Sequence, residues 1–208
     1  MQKINKGEPI PEYQQWVNKN KTTNWDDLPS TISCNVRSHI LKNEQDDLCG
    51  YTELPLTMGN SHIDHFRKRN GMGFEKLTFD WNNFVVASVD EDFGAKYKDG
   101  RESKLTKEDY NIIFNPVECG MDSFVQYETD GMMTPIDKNN QRVWRTIAVF
   151  KLNHNSLKGP RKKIMLSVNS CYNGGMSDDE IRNWLRKEGF PSVVEWKLKV
   201  LHSQGNNH

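Results

Sequence analysis

The sequence predicts an α+β fold, and three observations carry that expectation. Near the start, Tyr13, Trp16 and Val17, and then Val36, Ile40 and Leu41, recur at the spacing of an amphipathic helix. In the middle, Phe84-Val85-Val86-Ala87 is short, apolar and β-branched, which suits a buried strand or a strand running into a helix. Toward the end, Ser177-Asp178-Asp179-Glu180 matches a capping box, and Ile181, Trp184 and Leu185 continue the helical spacing to Gly189. The expected division is residues 1–48 as an N-terminal arm with helices, 49–100 as a central core, and 101–208 as a C-terminal mixed α/β lobe.

Taken in order, Gly7 and Pro9 oppose helix, so residues 1–9 read as an extended arm. Pro11 suits a first helical turn. Thr22 to Asp27 is a polar connection rich in capping residues, and a second helix is expected from about Ser33 to Glu44. His39 within it reads as a solvated or packed side chain. Short extended segments are expected on both sides of Gly59, with loops at Asn70-Gly71-Met72-Gly73 and from Lys98 to Lys104. Tyr110 to Phe114, closed by Asn115-Pro116, reads as a strand ended by a turn. Asp130-Gly131, between Phe124–Glu128 and Met132-Met133, is a hairpin signal. Trp144 to Phe150 with Leu152 suits a mostly buried helix, with a strand as the alternative. Val193 to Leu198 is a final strand or helix.

Composition excludes little. The 28 basic and 28 acidic residues balance, so a polyanion-binding face would need local concentration of charge. Hydrophobic residues make up only 35%, which six Trp partly offset. Met1 to Lys6 holds no apolar run, which predicts neither a signal peptide nor a membrane span and makes the cytoplasm the expected compartment. Cys34, Cys49, Cys119 and Cys171 form no C-x-x-C pair and read as free thiols.

The densest chemistry lies in Ser61-His62-Ile63-Asp64-His65-Phe66, where two of the six histidines and a carboxylate fall within four residues. Arg67-Lys68-Arg69 follows at once, and Asn83, Asp90, Glu91, Asp92 and Lys96 lie downstream. Hydrolysis of a phosphodiester needs an activated water, neutralisation of charge at phosphorus and help for the departing oxygen. Asp64 and Asp92 offer hard oxygens for magnesium or manganese, and His65 offers a base that titrates near neutrality. Asn83 could hold that imidazole directly or through its backbone. Arg67, Lys68, Arg69 and Lys96, with Lys98 beyond, could meet phosphates. A second basic cluster, Lys158, Arg161, Lys162 and Lys163, reads more simply as a solvated face. The bland alternative for the whole stretch is a polar surface strand with alternating histidines, followed by an acidic turn.

These residues resemble an HNH endonuclease family that includes PtuB, the nuclease partner in Septu-type and some retron-linked bacterial anti-phage systems. The resemblance runs from Lys3-Ile4-Asn5-Lys6-Gly7-Glu8-Pro9 through Arg37, Leu41, Glu44-Gln45 and Leu48-Cys49-Gly50-Tyr51 to His62-Ile63-Asp64-His65-Phe66. It continues in Phe79-Asp80-Trp81-Asn82-Asn83-Phe84, Asn115-Pro116, Thr146-Ile147, Leu152-Asn153 and Arg161. It implies a ββα-metal (HNH) finger embedded between the N-terminal helices and the C-terminal lobe. Asp64 would be a metal ligand, His65 the general base, Asn83 the middle asparagine and Asp92 the third motif position, with His62 in a supporting place at the metal. The metal would be Mg2+ or Mn2+. Relatives carry cysteine pairs for a structural zinc. Here only Cys49 remains, with Thr52, Ser88 and Glu91 in the other places, and one thiolate does not make a tetrahedral site, so no structural zinc is expected. The implied function is a metal-dependent endonuclease acting on nucleic acid as the nuclease subunit of a defence complex with a PtuA-like ATPase. The alternative is a catalytically degenerate subunit that binds nucleic acid or a partner. Trp16, Trp25, Trp144, Trp184 and Trp196, outside the motif region, are either core residues or anchors for that larger partner.

Overall fold

A computed structural model describes residues 1–205 as helices and two small antiparallel ribbons around a shared core. Helix α1 spans Pro11–Asn20, with Pro11 in the first turn, where its missing amide hydrogen costs no bond. Helix α2 spans Ser30–His39 and runs on through a wider π turn, Ile40–Glu44, which buries Ile40 and Leu41. Strand β1, Ser61–His65, pairs antiparallel with strand β2, Phe84–Ser88, so that Asp64 lies opposite Val85 and His65 opposite Phe84. The six-residue helix α3, Gly94–Asp99, closes this unit. Phe84 to Ala87 are all fully buried, so β2 is covered on both faces and its apolar run needs no alternation.

In the C-terminal part, strands β3, Val125–Tyr127, and β4, Met133–Pro135, form the hairpin signalled by Asp130-Gly131. Gly131 takes φ +88°, and a Cβ there would meet the Lys158 carbonyl. Helix α4 is Gln141–Val149, so the helical reading of that segment is the right one. Helix α5, Asn155–Asn173, packs on α6, Asp178–Leu185, and on α7, Pro191–Gly205. Ser177 caps α6 through the reciprocal bonds with Glu180 that its sequence announced.

Two expectations fail. Tyr110 to Phe114 is not a strand. It is a 3₁₀ turn, Glu108–Asn111, followed by irregular chain whose Phe114 amide donates to Thr146 Oγ1 (3.0 Å) rather than to a neighbouring strand. Asp109 fixes that turn by accepting from the Thr106 amide (2.7 Å) and pairing with Arg145. The basic cluster at 158–163 is not a uniform solvated face, because it lies on α5 and Arg161 points inward at 1% exposure. Arg161 donates to the Leu152 carbonyl (2.7 Å), and its guanidinium lies 5.8 Å from the ring centres of Tyr127 and Phe190.

Segments distant in sequence are stitched together by buried polar contacts. The Met1 α-amino group pairs with Glu53 (2.6 Å), which also accepts from the Ser192 amide (3.0 Å). The Ile4 amide donates to the Pro116 carbonyl, and the Gly94 amide to the Phe150 carbonyl, each at 2.8 Å. Trp16, Trp25 and Trp196 pack against the core, whereas Trp144 and Trp184 stay partly or largely exposed. Among the described residues, no helix is long and apolar enough to cross a membrane.

Gly189, between α6 and α7, has φ +77° and ψ −165°, a region open essentially to glycine alone. A Cβ there would lie 2.5 Å from the Glu53 carbonyl oxygen and 2.7 Å from Pro55 Cδ. Gly189→Ala is therefore expected to lower stability by about 2 kcal/mol or more, from strain of ~1–3 kcal/mol plus the clash. Urea unfolding checks this, and a midpoint equal to the parent's would refute it.

Candidate functional site

The pleat of β1 sorts the central residues. His62 and Asp64 leave one face of the strand, and Ser61, Ile63 and His65 leave the other. On the first face the Asp64 carboxylate is 5% exposed, accepts from the Tyr51 hydroxyl (2.5 Å) and lies 3.3 Å from the ammonium of Lys98. Tyr51 is fixed by stacking on Phe150 with ring centres 4.4 Å apart. Lys98, on α3, is 0% exposed, and its Nζ also reaches the carbonyls of His65 (3.1 Å) and Phe66 (3.3 Å) and Asp99 Oδ1 (2.8 Å). Four oxygens thus surround one buried cation. Burial alone would lower the Lys98 pKa, but Asp64 and Asp99 outweigh it and hold the amine well above its ordinary range. Burial and the neighbouring Asp64 charge push the Asp99 carboxyl up, with Lys98 pulling it back. The Lys68 ammonium donates to the Asp99 carbonyl (2.7 Å), closing the cluster.

On the second face His65 sits in an aromatic box. The Trp25 ring meets it edge-on at 4.7 Å and the Phe84 ring at 5.1 Å. Its Nε2 lies 2.9 Å from the Thr78 carbonyl, which can only accept, so the ring carries its proton on Nε2 and keeps the Nδ1 lone pair. Burial pushes its pKa down to about 4, against a smaller upward pull from the Thr78 carbonyl. The imidazole is neutral at pH 7, with one tautomer and one free nitrogen lone pair.

The Asn83 side chain does not hold that ring directly. Its amide donates to the carbonyls of Arg67 (3.0 Å) and Leu77 (3.1 Å) and accepts from the Arg67 amide (2.8 Å), clamping the chain between β1 and β2. The Asn83 carbonyl takes the Phe66 amide (2.9 Å), so its influence on His65 passes through the backbone at the end of β1. Asp92 is exposed on the turn before α3, where its amide donates to Asp90 Oδ1 (2.9 Å), and no hydrogen bond or ion pair joins it to Asp64. The turn breaks off before the chain reaches the cluster, and the α3 residues that do reach it are Lys98 and Asp99. His62 shares the face of Asp64. Burial lowers its pKa, partly offset by Asp64, and its Nδ1 is buried with no hydrogen-bond partner. Arg67, Arg69 and Lys96 are partly solvated and lie within 4 Å of the exposed acids Glu118, Asp26 and Glu91. Lys68 and Lys98 are the exceptions among the expected phosphate contacts, since the Lys68 ammonium is spent on the Asp99 carbonyl and that of Lys98 is fully buried in the cluster.

Sequence reasoning missed Lys98 as the centre of the cluster and placed it at the edge of a loop. Tyr51, Trp25 and Thr78 were missed as partners too. A tyrosine and a lysine outside the motif carry no local signal of burial, and only the packing of α3 and of the 49–53 turn on β1 brings them in.

The cluster is rich in oxygen donors, and the cation they hold is the Lys98 ammonium. Asp64 and Asp99 supply carboxylates, His65 and Phe66 supply carbonyls, and His62 adds an unpartnered nitrogen on the same face. Among the described residues, no group of three His, Cys, Asp or Glu side chains converges by itself to hold a metal ion. A separate cleft of about 400 Å³, lined by Gln45, Asp46, Glu53, Arg186 and Glu195, contains none of these residues. No family model matches the chain, and no curated protein matches it.

His65 has a direct test. Its pKa falls from 6.5 to about 4 on folding, so the unfolded chain binds more protons between those values and stability rises with pH across that window. The contribution is fully present above pH 6.5 and is lost toward pH 4, by about 3 kcal/mol at most. Long-range ¹H–¹⁵N spectra are expected to show the neutral Nε2–H tautomer at pH 7 and no titration of this ring down to about pH 5. A midpoint near 6.5 would show that the aromatic box does not exclude the charged form.

Proposed function

We propose that the chain is an HNH-type endonuclease that hydrolyses phosphodiester bonds in nucleic acid. The observation that carries this reading is a neutral histidine of fixed tautomer, one residue from a carboxylate seated in an oxygen nest for a cation. Both groups belong to a strand–strand–helix unit. A phosphodiester places two demands on such a site, a base for the attacking water and positive charge for the phosphoryl oxygens.

His65 meets the first demand. Its Nδ1 lone pair takes the proton from water, and the Thr78 carbonyl, which accepts from Nε2, stabilises the imidazolium that forms. Trp25 and Phe84 keep bulk water from the rest of the ring, so the base acts in one orientation. The low pKa makes the imidazole a weak base that is wholly in its active form at pH 7. A divalent ion, when bound, supplies charge against the scissile phosphate, and Asp64, Asp99 and His62 are the side chains that would hold it. Arg67, Arg69 and Lys96 bind the flanking phosphates, because each reaches solvent and its acidic neighbour is exposed and readily exchanged.

The second reading is a subunit that binds nucleic acid or a partner without cutting. The observation that favours it is the Lys98–Asp64 pair, which leaves that carboxylate occupied. The ATPase partner and the anti-phage role rest on the family resemblance. They are supported only by its extent along the chain and by the exposed Trp144 and Trp184, which could anchor a larger protein.

His65→Ala is expected to reduce metal-dependent nicking of plasmid or cleavage of RNA by about 10²–10⁴-fold, with the circular dichroism spectrum preserved. Cleavage at the parental rate would remove His65 from the mechanism. If neither the parent nor Lys98→Met, which removes the ammonium from Asp64, cuts DNA or RNA with Mg2+ or Mn2+, the binding reading takes its place.

A further inference from the structure

Lys98 is unusual for the place it takes. Its ammonium is 0% exposed and sits among Asp64 Oδ2, Asp99 Oδ1 and two backbone carbonyls at 2.8–3.3 Å, the coordination of a hard cation rather than of a surface ion pair. Beside it is a nitrogen without a partner. Tyr51 and Lys98 both engage Asp64 Oδ2, and His62 Nδ1 is buried and orphaned on the same face. The lysine is held from its own backbone as well, for the Ser103 hydroxyl donates to the Lys98 carbonyl (2.6 Å) and the Gly94 amide anchors the start of α3 to Phe150.

We propose that the Lys98 ammonium is a built-in competitor for the divalent-cation seat, so that the chain by itself holds Mg2+ or Mn2+ weakly and becomes metal-competent only when that ammonium leaves Asp64. An ammonium and a dication cannot share these oxygens, because each needs the same carboxylate lone pairs and the two charges repel at contact distance. With Lys98 in place, the two carboxylates are compensated by one covalently attached charge. Without it, a dication neutralises both. The geometry therefore makes metal loading and the Lys98–Asp64 contact mutually exclusive alternatives, and whatever turns the Lys98 side chain away while Asp99 stays in place loads the site. This rests on the nuclease reading only in taking the seat to be one that a divalent ion uses.

The test is Mn2+ binding to the full-length chain, followed by electron paramagnetic resonance of free Mn2+, for the parent, Lys98→Met and Asp64→Asn, with plasmid and RNA cleavage measured beside it. Lys98→Met keeps the aliphatic stem and deletes the charge. It is expected to bind one Mn2+ at least about tenfold more tightly than the parent, as follows from removing the charge that covers the buried Asp64 and the partly exposed Asp99 carboxylate, and the gain should vanish in Lys98→Met/Asp64→Asn. Equal affinities in parent and Lys98→Met overturn the proposal, and so does absence of binding to both. If Lys98→Met does not fold alone, refolding on addition of Mn2+ supports the proposal, and failure to refold overturns it. The parent decides independently, since tight binding of one Mn2+ per chain that Asp64→Asn abolishes would by itself refute a competitor role. A tighter Mn2+ site with no cleavage by any form keeps the competitor and discards the nuclease, whereas cleavage with unchanged affinity does the reverse.

Discussion

The buried contact between Lys98 and Asp64 is the constraint on which the central architecture depends. An ammonium with no exposure must find its charge and hydrogen-bond partners inside the protein. Two pieces of chain supply them, and a third steadies Asp64. β1 brings Asp64 and the His65 carbonyl, the residue after β1 brings the Phe66 carbonyl, and α3 brings Lys98 and Asp99. The turn at 49–53 brings Tyr51. The cluster fixes how far the short helix lies from the ribbon more sharply than apolar packing over six residues could. Tyr51 extends the same order outward, through its stack on Phe150, to the end of α4, and the Phe150 carbonyl returns to α3 through the Gly94 amide.

Across the ribbon the environment reverses. The face with Asp64 is polar and charged, and the face with His65 is aromatic, built from Phe84 and from Trp25, which also packs on Phe79. One peptide bond therefore separates a carboxylate in contact with a buried ammonium from an imidazole kept neutral by desolvation.

The legible parts of this structure are those whose cause is local. The hairpin at Asp130-Gly131 was readable because a glycine with positive φ is required at the turn, and α6 was readable because its cap is written in four consecutive residues. The concentration of side chains at 62–65 was visible for the same reason. What escaped depends on distant partners. Tyr110 to Phe114 has the composition of a strand but no strand beside it to pair with, and its polar groups go to Thr146 and Arg145 instead. Helix α5 was hidden by Gly159-Pro160, a pair that punctuates most sequences, yet Pro160 sits within the helix while Leu157, Arg161, Ile164 and Val168 line a buried stripe. Asp92 was placed by spacing along the chain, and the helix turned out to present Lys98 and Asp99 one to two turns later.

The opposite aims of Asp64 and His65 also bear on how the chain reaches its native pairing. In a two-stranded ribbon, a slip of one residue exchanges the faces of every side chain. Here the exchange would drive a carboxylate into the ring wall of Trp25 and Phe84 and leave Lys98 facing an imidazole rather than its counter-charge. A slipped ribbon would bury two uncompensated charges at once, which disfavours it against the native register. The same side chains that distinguish the two faces of the strand thus specify its alignment, because only the native pairing gives both charges a partner.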